Sequence, residues 1–227
     1  MATGITLRKR SDVADVVPPA PKVRTKIKPI IKTAGGGTKD VALDAKTLEA
    51  ILQLIDNQCR QFERTPASFK VLSEEGLRDV MLSSLNAVFE GQATGESFRG
   101  LGKADIHLPL AGGDAFVAEV KFWDGPASLA QTVDQLRGRL TWRDTVGVAI
   151  MLSENANFGT VLETIKKTLP TLPGFVAAQQ VREVDDNRFI ARFQIKTSEG
   201  HHAEIHVLVY SLSVPAGAVK RVTRSVT

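Results

Sequence analysis

The chain has 227 residues, of which 43% are hydrophobic and 24% charged, with a formal net charge of +4. That composition excludes a disordered or collagen-like protein and fits one ordinary domain plus an appendage. With no apolar run near the ~18 residues of a membrane span, no apolar stretch after Arg8, Lys9 and Arg10, and a single cysteine, a cytoplasmic protein without membrane contact, secretory leader, disulfide or multi-cysteine zinc site is expected.

The charge is unevenly spread. Residues 1–40 hold nine Lys/Arg against three Asp, so the remaining chain carries a net charge of −2. Pro18-Pro19-Ala20-Pro21 and Gly35-Gly36-Gly37 belong to extended or flexible linkers that bury little. The three glycines read as a hinge, because no Lys-Ser/Thr follows them as in a phosphate loop. Residues 1–40 are therefore read as a flexible basic arm, able to attract phosphates non-specifically or to reach a protein partner.

Residues 41–72 read as a leading helix and its connection. Asp44 is an N-cap candidate, Leu48, Ile51, Leu52 and Ile55 recur at helical spacing to about Phe62, and Pro66 closes the helix. Ser73 caps a second helix whose apolar positions are Leu77, Val80, Met81, Leu85, Val88 and Phe89, with Gly91 as its stop. The period then becomes alternating. Strands are expected at 93–98, 103–110 and 115–123, the last two joined by a hairpin turn at Ala111-Gly112-Gly113-Asp114. Leu129, Val133, Leu136 and Leu140 mark an amphipathic helix, and 146–152 a strand buried on both faces. A helix at 158–169 ends at Pro170, and strands near 175–184, 189–196 and 203–212 follow as a meander. Residues 216–227 read as a frayed polar tail. From Ser73 the order is helix, three strands, helix, strand: an α/β domain over 73–215 with added C-terminal strands.

Three charged residues lie inside segments that otherwise read as core strands: Asp105, Glu119 and Lys121. Side chains two apart on a strand share a face, so Glu119 and Lys121 project together. A hairpin can bring Asp105 beside Glu119. Two converging carboxylates repel, and a divalent cation relieves that repulsion. Mg²⁺ suits such a pair, since it needs only one or two carboxylates and takes water and phosphate at its other positions. A neighbouring ammonium, Lys121, can orient or help deprotonate a water, or steady developing negative charge.

Asp105, then Glu119-Val120-Lys121 on a hairpin behind a Glu-bearing helix, resembles the PD-(D/E)xK nuclease superfamily. The wider wording is similar to bacterial restriction-endonuclease-like, defence-associated proteins: Glu74-Glu75-Gly76-Leu77-Arg78-Asp79, Thr94-Gly95-Glu96-Ser97-Phe98, Gly102-Lys103-Ala104-Asp105-Ile106, Ala118-Glu119-Val120-Lys121-Phe122-Trp123, Asp134-Gln135-Leu136 and Leu140-Thr141-Trp142-Arg143-Asp144. The resemblance covers about residues 73–169, with Ala104 where the naming proline would stand. It implies a restriction-endonuclease-like core, a mixed sheet flanked by helices, and Mg²⁺-dependent endonucleolytic cleavage of DNA in antiviral defence, with Mn²⁺ able to substitute. Asp105, Glu119 and Glu74 would hold the metal, Lys121 would act on the nucleophile, and Gln135 matches a glutamine found near such sites. Helical phase favours Glu74 over Glu75 as the helical site residue. A homo-oligomer is expected, and a catalytically silent adaptor that binds nucleic acid or a protein partner in a defence complex is the alternative.

Bland readings compete with these. Glu-x-Lys alone is common on solvated strand faces. His202, Glu204 and His206 share a strand face and could ligate a transition metal, but are read as the wet face of an edge strand. His107 and Cys59 are read as structural, with Cys59 buried and inert. Trp123 and Trp142 are read as core aromatics. Lys103, Arg137, Arg139 and Arg143 are the candidates for phosphate contacts.

Overall fold

The structure, a computed structural model, describes residues 30–33, 39–42, 45–89, 91–109 and 115–214. Within the stretch read as the arm, β1 (Ile30–Thr33) pairs antiparallel with β2 (Lys39–Ala42). The rest of that stretch, the glycine hinge, Asp44, the 111–114 turn and the 216–227 tail lie outside the described residues.

Helix α1 (Ala45–Arg64) buries Ile51, Leu52, Ile55, Cys59 and Phe62, the stripe its spacing marks. Pro66 does not simply end the helical region: it opens a further turn, α2 (Pro66–Phe69), because its fixed φ suits the first helical position. In α3 (Glu74–Val88), the Ser73 side chain accepts from the Gly76 amide, and Leu77, Met81 and Leu85 are fully buried. Burial of each such side chain contributes about 1.5–3 kcal/mol.

Strands β3 (Ser97–Arg99) and β4 (Gly102–Ala104) form a small hairpin of their own. The single strand expected over 103–110 is thus broken. The chain bends at Asp105 and resumes as β5 (Ile106–Pro109), which pairs antiparallel with β6 (Ala115–Phe122). Helix α4 (Pro126–Arg139) then leads to β7 (Val146–Ser153), parallel to β6. After α5 (Phe158–Thr168) and a 3-10 turn at Leu169–Thr171 come β8 (Arg182–Asp185), β9 (Arg188–Gln194) and β10 (His202–Ser211). The strand expected near 175–184 is reduced to β8 plus an isolated bridge between Phe175 and Phe193.

Six strands make one mixed sheet in the order β5-β6-β7-β10-β9-β8. Alternation sorts its side chains. Val120, Ile150, Leu152, Leu208 and Tyr210 join the core under α1 and α3. Val117, Ala149, Met151, Val207 and Val209 join the core under α4 and α5. The molecule is therefore an α/β protein with helices on both faces of a mixed sheet. No described helix is long and apolar enough to cross a membrane.

One strand sits differently from its reading. β10 is no edge: it pairs parallel with β7 on one side and antiparallel with β9 on the other. α1 covers the face that carries His206, whose exposure is 3%. Burial, then the charges of Arg188 and Arg182, pushes the His206 imidazole down to about 3, so it stays neutral. Its Nδ1 meets the Arg188 Nη2 at 3.1 Å, and Arg188 in turn reaches Glu49 on α1. His206 is thus an inward-facing group at the junction of α1 with the sheet, while His202 remains exposed.

Candidate active site

β5 and β6 bring the first two carboxylates together. Ile106 pairs with Ala118, which sets Asp105 opposite Glu119 where β5 begins. The Asp105 Oδ2 accepts from the Val120 amide at 2.9 Å, anchoring the bend to β6. Glu119 points towards α4, and its side chain is 5% exposed. Its Oε1 has no hydrogen-bond partner. Arg139 Nε stands 3.6 Å from that oxygen, close enough for charge attraction but beyond a hydrogen bond. Burial first, and the adjacent Asp105 second, push the Glu119 carboxyl up to about 8; Arg139 and Lys121 pull the other way.

The first turn of α3 contributes next. Glu74 accepts from the Phe122 amide through Oε1 and from Lys121 Nζ through Oε2, each at 2.9 Å. The hydrogen bond to Glu74, ahead of the charges of Glu74 and Asp105, raises the Lys121 pKa, so the side chain is an ammonium. Glu75 is exposed and turned to the helix end, where hydrogen bonds from its own amide and from the Ser73 hydroxyl lower its pKa. Glu74 is therefore the helical carboxylate that meets the strand. Both its oxygens are engaged, Oε1 by the Phe122 amide and Oε2 by Lys121. Among the described residues no three His, Cys, Asp or Glu side chains cluster to hold a metal ion.

The remaining candidates separate by helix face. Arg139 ends α4 with Nε donating to the Lys103 carbonyl at 2.6 Å, beside Glu119. Gln135 is half-buried one turn earlier on that face. Arg137 turns away, donating to the Gln194 carbonyl at 2.8 Å and meeting Asp134 at 3.5 Å. It fastens α4 to β9 and does not stand at the carboxylates. Lys103 is exposed and meets Glu96 at 3.4 Å. Arg143 is exposed over the Trp142 ring, 4.2 Å from its centre. Trp142 is not a core aromatic: it is 54% exposed, whereas Trp123 packs partly buried against the α4–α5 core. Cys59 is fully buried, and burial raises its pKa, in keeping with an inert thiol.

One neighbour of the site escaped the sequence reading. Arg78 on α3 is 8% exposed overall, ion-paired with Asp79 at 3.0 Å and Glu96 at 3.4 Å; against the lowering effect of burial, these acids, with the charge of Asp105, raise its pKa. The available signal was an arginine three residues before Met81 and seven before Leu85, a core-facing phase on α3.

A divalent cation fits this donor set. Two carboxylates side by side, one with a buried and unpartnered oxygen, offer hard oxygen ligands and a charge conflict that a cation relieves. No protein-family model, curated protein or solved structure matches the chain.

Proposed function

We propose that this protein is a metal-dependent nuclease with a restriction-endonuclease-like core that hydrolyses DNA phosphodiester bonds, in defence against foreign DNA. The observation that carries the reading is the meeting of Asp105 and Glu119 at the start of β5, with the Glu74–Lys121 pair on the same stretch of β6. Asp105 and Glu119 would hold the cation, Mg²⁺ or Mn²⁺, which when bound supplies Lewis acidity at the phosphate and a more acidic water. Lys121 carries a full positive charge held in place by Glu74. It is suited to steady negative charge building on the phosphoryl oxygens rather than to take a proton. Glu74 acts as its positioning residue. Arg139 beside the carboxylates, with exposed Lys103 and Arg143, would supply positive charge for the nucleic-acid backbone.

The second reading is a catalytically silent adaptor. It is favoured by the Lys121–Glu74 ion pair at 2.9 Å, which engages the ammonium internally. End-labelled duplex DNA, single-stranded DNA and RNA, incubated with Mg²⁺ or with chelator, separate the two readings. The nuclease reading expects Mg²⁺-dependent cleavage of DNA that Glu74→Gln slows and Glu75→Gln leaves nearly unchanged. Nucleic-acid or partner binding with no cleavage under any metal selects the adaptor.

A further inference from the structure

Arg139 is held with more care than a surface phosphate contact requires. It is the last residue of α4, its side chain is 17% exposed, and its Nε is fixed on the Lys103 carbonyl at 2.6 Å. The β3–β4 turn is shaped around the end of that helix. Gly100 has φ +51, and a Cβ there would lie 2.3 Å from the Gly138 carbonyl oxygen; Leu101 donates its amide to the same oxygen at 2.8 Å. A Cβ on Gly102 would lie 2.2 Å from Arg139 Nη1. Gly100 thus lets the turn close onto the backbone end of α4, and Gly102 opens a slot for the guanidinium, whose Nε stands 3.6 Å from Glu119 Oε1. At that distance it acts on the Asp105–Glu119 pair through charge alone, without occupying the Glu119 oxygen, which remains without a hydrogen-bond partner. Arg137, two residues earlier, takes none of this geometry.

We propose that Arg139 is a resident counter-ion for the Asp105–Glu119 pair, delivered through the glycine slot, and that a divalent cation binds there by displacing it. The inference rests on the metal-site reading above. An arginine cannot shed its charge, so a second cation on the same carboxylates meets repulsion until the guanidinium withdraws. Withdrawal frees a positive group next to the metal site, where the scissile phosphate would lie.

Calorimetric titration of Mn²⁺ and Mg²⁺ into the full chain, without nucleic acid, tests this directly. Arg139→Gln removes the competitor and is expected to bind Mn²⁺ roughly tenfold more tightly than wild type. Gly102→Ala keeps the charge but closes the slot. Gly102 has no positive φ, so alanine suits its backbone, and the flexible end of Arg139 is what must move. That variant is expected to shift affinity in the same direction, and it decides the matter alone if Arg139→Gln fails to fold by circular dichroism. Adding Glu119→Gln to Arg139→Gln should abolish the gain. Metal binding that is unchanged or weaker in both single variants overturns the displacement while leaving the metal site standing. Absence of binding in every version, wild type included, overturns both together.

Discussion

A buried carboxyl with a second acid beside it is expensive to ionise, and Glu119 titrates at about 8 against an ordinary value of 4.5. Unfolding releases it to ionise near 4.5. Between those pH values the unfolded chain has lost a proton that the folded chain keeps, so metal-free stability falls as pH rises through this window. The full difference is on the order of a few kcal/mol. Urea melts of the metal-free protein are expected to show wild type losing stability from pH 5 to pH 8, and Glu119→Gln losing much less. Parallel pH profiles for the two would contradict the burial of a strained acid. At this scale the carboxylates were readable, since charged residues inside an apolar strand stand out. What the sequence hid was which arginine mattered. Arg137 and Arg139 are chemically alike and two residues apart, and only the packing of α4 decides that one clasps β9 while the other meets Glu119. His206 was hidden similarly, because its strand alternates regularly and only the placing of α1 turns that face inward.

At the scale of elements, the first turn of α3 does two things at once. Ser73 Oγ accepts from the Gly76 amide at 3.2 Å, and the turn so fixed presents Glu74 to Lys121 and to the Phe122 amide. Ser73→Ala is expected to cost about 1 kcal/mol in a denaturant melt and to raise hydrogen exchange in that turn, loosening the Glu74–Lys121 pair. Unaltered stability and exchange would mean that packing alone holds the turn. Helix and strand order was legible because hydrophobic period separates 3.6 from 2. The break at Asp105 was not, because Gly102–Leu108 alternates regularly enough to pass for one strand. At the bend, the Asp105 carboxylate accepts from the Val120 amide of the neighbouring strand, a contact that local alternation does not announce. In the stretch 175–184, Phe175 and Val181 pack against the α4–α5 core, and Phe175 meets the sheet only through its isolated bridge to Phe193.

For the whole molecule, the parallel pairing of β10 with β7 joins the C-terminal strands to the sheet and places β10 in its interior, with β8 at the exposed edge. Local pattern could not foresee it, since the partners are more than fifty residues apart and no turn links them. The charge distribution works at the same scale. Residues 1–29 carry seven Lys/Arg against two Asp, and the rest of the chain is close to neutral. Removing them is expected to leave the melting temperature nearly unchanged and to weaken binding to duplex DNA. The salt dependence of that binding should flatten by about 0.9 in log–log slope for each phosphate these residues neutralise. An unchanged slope would exclude them from nucleic-acid binding.

Cleavage of supercoiled plasmid in Mg²⁺, with wild type beside Glu119→Gln and Lys121→Ala and with chelator as the control, probes the proposed chemistry most directly. Nicking by wild type that needs the metal, and that falls at least a hundredfold (about 2.7 kcal/mol of barrier) in both variants, is the expected result. Nicking that survives either substitution, or that chelator does not abolish, would contradict a metal-dependent nuclease centred on Asp105, Glu119 and Lys121.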